Sequence, residues 1–189
     1  MNRAHSVICS SGWWARSVER KLLPWGLKGV DLGEDVLEIG PGFGATTRVL
    51  ARRQGSLTVV ELSESYCQHL RQTLDSDVEV VQADATDMPF PDGRFSGVVC
   101  FTMLHHIPSP ELQDRLLGEV CRALRPGGVF AGTDNLGTGL AFTALHARDT
   151  LVPVDPDELP ARLERAGLVE PRVNVGGRSF RFSARKALQ

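Results

Sequence analysis

The sequence predicts an α/β fold of the Rossmann-like, doubly wound kind: a mostly parallel seven-stranded sheet, wrapped by helices, that finishes in a C-terminal antiparallel hairpin. Two observations carry this reading. From residue 35 onward, apolar runs of strand length alternate with segments of helical period. The first of those runs ends in a glycine-rich turn, Gly40-Pro41-Gly42-Phe43-Gly44, that opens into a helix. At 189 residues the chain suits one such domain with a proper core, and is too short for two of typical size.

Taken in order, Trp13–Leu23 is amphipathic and predicts a helix closed by Pro24, the main element of an N-terminal helical cap over residues 1–34. Strands follow at Asp35–Ile39, Leu57–Glu61, Val78–Gln82, Phe95–Phe101 and Val129–Thr133, within a core of residues 35–134. Helical spacing falls between them at Ala45–Arg53, Glu64–Leu74 and Pro110–Leu124. In the last of these Leu112, Leu116, Leu117 and Val120 share a face, and Arg125-Pro126-Gly127-Gly128 supplies the stop and turn before strand five. Residues 135–153 contain Gly137 and Gly139 without a clean period, which predicts a flap or short helix at the site. The closing region, 154–189, predicts a helix over Pro156–Ala166 stopped by Gly167, then a hairpin of Val169–Val175 and Ser179–Ala184 around Gly176-Gly177-Arg178.

Composition excludes several classes of partner. Lys and Arg number 21 against 23 Asp and Glu, a net charge of -2, so nothing demands a polyanion and no nucleic-acid partner is expected. The basic tail from Arg178 to Lys186 reads as a solvated strand face. Cys9, Cys67, Cys100 and Cys121 are scattered without metal-ligand or disulfide-framework spacing, and no metal site is expected. No segment approaches the roughly 20 apolar residues needed to cross a bilayer, and a cytoplasmic location is the expectation. The oligomeric state is left open.

Glycines at a strand-to-helix turn let a ligand approach the main chain, and the following helix directs its amino end at the same place. Glu61 ends the second strand some 20 residues past that loop, where a carboxylate can accept both hydroxyls of a ribose. A helix-capping role is the alternative, since Glu61-Leu62-Ser63 precedes a helix. Asp84-Ala85 follows strand three and introduces Pro89-Phe90-Pro91-Asp92-Gly93-Arg94-Phe95.

With these residues the chain resembles the class I S-adenosylmethionine-dependent methyltransferases, and within them the small-molecule branch of ubiquinone and menaquinone biosynthesis enzymes. The resemblance rests on five elements in order: the Gly-x-Gly-x-Gly loop, a strand-two acid, the Asp-Ala pair, a Pro-Phe-x-Asp-x-x-Phe segment and the Leu-x-Pro-Gly-Gly turn, together covering residues 36 to about 134. It implies S-adenosyl-L-methionine as cofactor. Glu38, Gly40, Gly42 and Gly44 would surround its methionine part, Glu61 with Leu62 beside it would hold the ribose, and Asp84 and Ala85 would recognise adenine. Phe101 and Thr102 would offer main-chain groups to the amino-acid end. A nicotinamide dinucleotide also wants a strand-two acid, and Ala45 is tolerated at its third glycine position; the Asp84-Ala85 and Leu124–Gly128 resemblances favour S-adenosylmethionine.

The implied reaction is in-line methyl transfer to a small-molecule acceptor, in which alignment supplies much of the rate. His105 and His106, after strand four, are the candidates for orienting or deprotonating that acceptor, although either could simply bond to backbone. Where nucleic-acid N-methyltransferases carry an Asn/Asp-Pro-Pro-aromatic loop, this chain has Thr102-Met103-Leu104-His105. Trp13, Trp14, Trp25 and Phe142 are candidates for an apolar acceptor pocket or for packing. A binding module that senses the cofactor without turnover is the reading from another class.

Overall fold

A computed structural model describes residues 11–137 and 149–188. The first helix, α1 (Gly12–Ser17), is capped by the Ser11 side chain, which accepts from the Trp14 N–H at 3.2 Å. It does not stop at Pro24. The chain runs through a π-helical stretch, Val18–Leu22, into α2 (Leu23–Gly26), and Leu23 N–H reaches back five residues to the Val18 carbonyl. Widening the helix before Pro24 lets a residue that cannot donate enter near a helix start instead of breaking a regular ladder.

The strands β1 (Asp35–Ile39), β2 (Ser56–Glu61), β3 (Val78–Gln82), β4 (Phe95–Phe101), β5 (Leu124–Asn135), β6 (Leu168–Gly176) and β7 (Ser179–Lys186) form one sheet in the order β3-β2-β1-β4-β5-β7-β6. The first five run parallel, and β7 lies antiparallel to both β5 and β6. The connecting helices are α3 (Thr47–Ala51), α4 (Glu64–Thr73), α5 (Pro110–Ala123) and α6 (Leu159–Arg165), with a 3₁₀ turn at Leu104–His106. The expected α/β class, the parallel core and the terminal hairpin are all present.

Alternation along the strands splits the core between the two faces. Leu37, Ile39, Val98 and Cys100 face α5, α6 and the hairpin phenylalanines, whereas Val36, Val59, Val99 and Phe101 face α1 to α4. Strand five is longer than expected because its pairing with β4 begins at Leu124. The register moves from Phe95↔Leu124 to Gly97↔Val129, so Arg125-Pro126-Gly127-Gly128 bulges inside the strand rather than preceding it. Helix α5 also departs from its apolar pattern: it buries Gln113 with Leu116, Leu117, Val120 and Ala123, and leaves Leu112 half-buried.

The phenylalanines of the segment before β4 are structural. Phe90 and Phe95 meet edge-on with centroids 5.0 Å apart, and the Arg94 guanidinium lies 4.6 Å from the Phe95 ring. Arg122 of α5 donates to the Phe90 and Met88 carbonyls at 2.6 and 2.9 Å, while Glu119 accepts from Met88 N–H at 2.8 Å. That clamp fixes the loop leaving β3 against α5. The Arg122 guanidinium also holds the Glu119 carboxyl below its ordinary range.

Candidate active site

The chain builds β1, β2 and β3 outward on one side, then crosses to add β4 and β5 on the other. Neighbouring strands β1 and β4 therefore send their following loops apart, which leaves a crevice beyond their carboxyl ends. A cavity of about 490 Å³ lies there, bordered by Gly40 and Gly42 after β1, Glu61 and Leu62 after β2, Asp84 and Ala85 after β3, and Phe101 and Thr102 after β4. Eight of the ten expected cofactor residues thus share one cavity.

The glycine loop is shaped by its backbone. Gly40 has φ +63° and a Cβ there would overlap the Met103 side chain; Gly42 has φ +55° and faces open space. Gly42 N–H donates to Glu61 Oε2 at 3.2 Å, and Ser63 N–H donates to Oε1 at 2.9 Å. Two backbone donors hold one oxygen each, so each oxygen keeps a lone pair for a ligand hydroxyl. Asp84 Oδ1 accepts from the N–H and the hydroxyl of Thr86, both at 2.8 Å, which sets the turn that carries Ala85. Thr102 is a β-branched residue at φ +51°, and its N–H is tied to the Thr133 carbonyl at 2.7 Å. Such a backbone costs on the order of 1–3 kcal/mol and marks a constrained strand end at the cavity.

Two expected cofactor residues stand behind the loop instead of in the cavity. Glu38 is 1% exposed and accepts from the Thr46 hydroxyl, so it buttresses the loop from below. Its position follows from alternation along β1, which turns it toward the helix start and away from the strand end. Burial raises its pKa from 4.5 to about 7, against the lowering effect of its bond to Thr46. Gly44 packs the loop on α4, where a Cβ would come within 2.7 Å of Leu70.

The two histidines separate. His105 is 1% exposed and outside the cavity lining; its ring Nδ1 pairs with buried Asp134, whose other oxygen accepts the His105 N–H at 3.1 Å. Burial behind the wall takes His105 away from the position expected for a base. His106 does line the cavity, with its ring centroid 4.2 Å from that of His105 and its Nδ1 3.2 Å from the Thr150 carbonyl. A carbonyl only accepts, so Nδ1 is the donor in this bond, which in the neutral ring leaves the lone pair on Nε2.

Of the aromatic candidates, Trp14 lines the cavity, Trp13 is 65% exposed and Trp25 lies against Gly176. Phe142 falls outside the described residues, as does most of the expected flap. Met103, Tyr66, Asp149 and Thr150 also border the cavity. Tyr66 meets Phe43 edge-on at 5.0 Å. No periodicity singles these four out, because they converge from separate elements. Among the described lining residues there are three carboxylates, Glu61, Asp84 and Asp149, and neither lysine nor arginine. A cavity of that charge suits a ligand bearing positive charge and disfavours a pyrophosphate. No helix among the described residues is long and apolar enough to cross a membrane.

Comparison with known proteins identifies the family and the fold. A family model described as a methyltransferase domain matches residues 36–128. The chain is 32% identical over 162 residues to the ubiquinone biosynthesis O-methyltransferase of Azotobacter vinelandii, covering 76% of this chain and 67% of that one. It is 39% identical over 105 residues to the fatty-acid O-methyltransferase of Mycolicibacterium smegmatis, covering 54% and 37%. In structure it is similar to a methyltransferase solved in complex with the Trm112 methyltransferase activator of Haloferax volcanii, with TM-score 0.73, 16% identity and 99% of both chains covered. The chain spans about a third of the length of several curated relatives that it matches.

Proposed function

The chain belongs to the class I S-adenosylmethionine-dependent methyltransferases, and we propose that it transfers the methyl group of S-adenosyl-L-methionine to a small-molecule acceptor bound beside His106. The observation that carries this reading is the convergence of Gly40, Gly42, Glu61, Asp84, Ala85 and Thr102 on one cavity rich in carboxylates. The residues fit the donor. A carboxylate locked by two backbone N–H groups suits two ribose hydroxyls, the open face at Gly42 admits a ligand to the main chain, and the Asp84-Ala85 turn offers a carboxylate and an N–H to adenine.

When bound, the sulfonium supplies an already activated methyl carbon, so the protein's part is alignment and exclusion of water. Glu61 and Asp84 fix one end of the donor, and the Thr102 backbone and the glycine loop fix the other. His106, Met103, Ile107, Asp149 and Thr150 wall the space beyond. His106 orients the acceptor, or takes its proton on Nε2 where the acceptor carries one. The relatives named above carry different names for what they methylate, and the small-molecule acceptor is proposed here from the near-neutral charge of the chain rather than from any one of them.

Incubation with methyl-labelled S-adenosylmethionine and a broad panel of small hydroxyl, amine and carbon acids tests the proposal. Label recovered in an acceptor together with S-adenosylhomocysteine is expected. Tight binding with no transfer across the panel would mark a cofactor-sensing module instead.

A further inference from the structure

Gln113 is 1% exposed in a helix face that is otherwise apolar, and it touches none of the cavity. Its amide is nonetheless fully directed. Nε2 donates to the Leu104 carbonyl at 3.1 Å and to the Val152 carbonyl at 2.9 Å, while Oε1 accepts from Arg162 Nη1 at 2.9 Å. Carbonyls only accept and a guanidinium only donates, so these three partners fix which way the amide points. Arg162 is held in turn by Asp114 at 2.6 Å and by the Pro110 carbonyl at 3.0 Å. The two segments that Gln113 joins also bond to each other, Val152 N–H to the His105 carbonyl at 2.8 Å and His106 Nδ1 to the Thr150 carbonyl. These are the segments that bring His106, Ile107, Asp149 and Thr150 to the cavity.

We infer that Gln113 is a positioning residue for the acceptor side of the site: its two N–H bonds clamp the Leu104–His106 turn to residues 150–152, and Arg162 aims the clamp. The name acceptor side rests on the functional reading above; the clamp itself does not. Donation, not volume, is the property required. An apolar side chain of the same size would fill the space on α5 but remove the amide donor that ties the Val152 carbonyl to the Leu104 carbonyl, the latter keeping its bond from Ile107 N–H.

The isosteric Gln113→Glu variant separates the two, because a carboxylate keeps the Arg162 contact and has no N–H to give. In amide hydrogen exchange it is expected to speed exchange at Ile107 and Val152 about tenfold or more, while β1 and β4 amides and the Kd for S-adenosylhomocysteine stay within about twofold. Gln113→Met, which removes the donors without burying a charge, is expected to do the same and serves if the Glu variant does not fold. Unchanged exchange at Ile107 and Val152 in a folded variant would overturn the inference, as would a uniform rise across β1 and β4, the mark of general destabilisation. Whether the wild-type protein binds S-adenosylhomocysteine at all decides the functional reading separately.

Discussion

The two sides of the cavity are built by different means. The side proposed for the donor is made where strands end: the Gly40–Gly44 loop, Glu61 and Asp84 each sit within a few residues of their own β-strand, and their contacts are mostly to nearby backbone. The acceptor side is assembled across the chain. Asp134 reaches His105, 29 residues away, and Arg162 reaches Gln113, 49 residues away, before the wall around His106 is complete. A short motif can specify the first kind of site, because backbone conformation is local. The second depends on side-chain bonds between elements and can change while the first stays fixed.

If that division holds, the largest effect is expected from His106→Gln. Turnover with an acceptor that must lose a proton should fall by about 10²–10⁴-fold, with S-adenosylhomocysteine affinity unchanged by calorimetry. Equal losses in turnover and cofactor affinity would merge the two sides. On the donor side Gly40→Ala combines a left-handed φ with overlap against Met103 and should cost about 3 kcal/mol in denaturant unfolding. Gly42→Ala, strained but open, should cost about 1 kcal/mol, and equal costs would mean that Met103 yields freely.

Acidity beneath the loop gives a comparable effect. Glu38 titrates near 7 in the folded protein, raised by burial, against 4.5 in the unfolded chain. Between those values the folded state holds the extra proton, so stability is fully present below about pH 4.5 and is lost as pH rises through 7, by up to about 3 kcal/mol. Glu38→Gln should flatten that slope in unfolding measured from pH 5 to 8. A slope that survives the substitution would locate the titrating group elsewhere. Glu61→Ala should weaken S-adenosylmethionine binding by roughly 1.5–3 kcal/mol, the loss of two charge-assisted hydrogen bonds, with little change at His106.

This division also explains what could be read from the sequence. Strands β1, β3 and β4 lie where apolar runs and turn residues place them, and the glycine loop at the cavity follows directly from Gly40 and Gly42. The place of Glu38 behind the loop is not legible, because a motif position says nothing of which face of β1 it occupies. Pro24 misleads because a π-helical turn absorbs a residue that normally ends a helix. Gln113 is hidden for a related reason: the stripe of Leu112, Leu116, Leu117 and Val120 is a complete apolar face without it, and its bonds run to carbonyls, which no side-chain pattern records. His105 and His106 are adjacent in sequence, yet a contact with Asp134 holds one ring buried while a bond to the Thr150 carbonyl holds the other at the cavity.

Where the donor sits is the most direct test. A crystal structure with S-adenosylhomocysteine is expected to show both ribose hydroxyls on Glu61, the adenine at Asp84 and Ala85, and the sulfur turned toward His106. A ligand bound away from Glu61, or a sulfur facing away from the His106 wall, would contradict it.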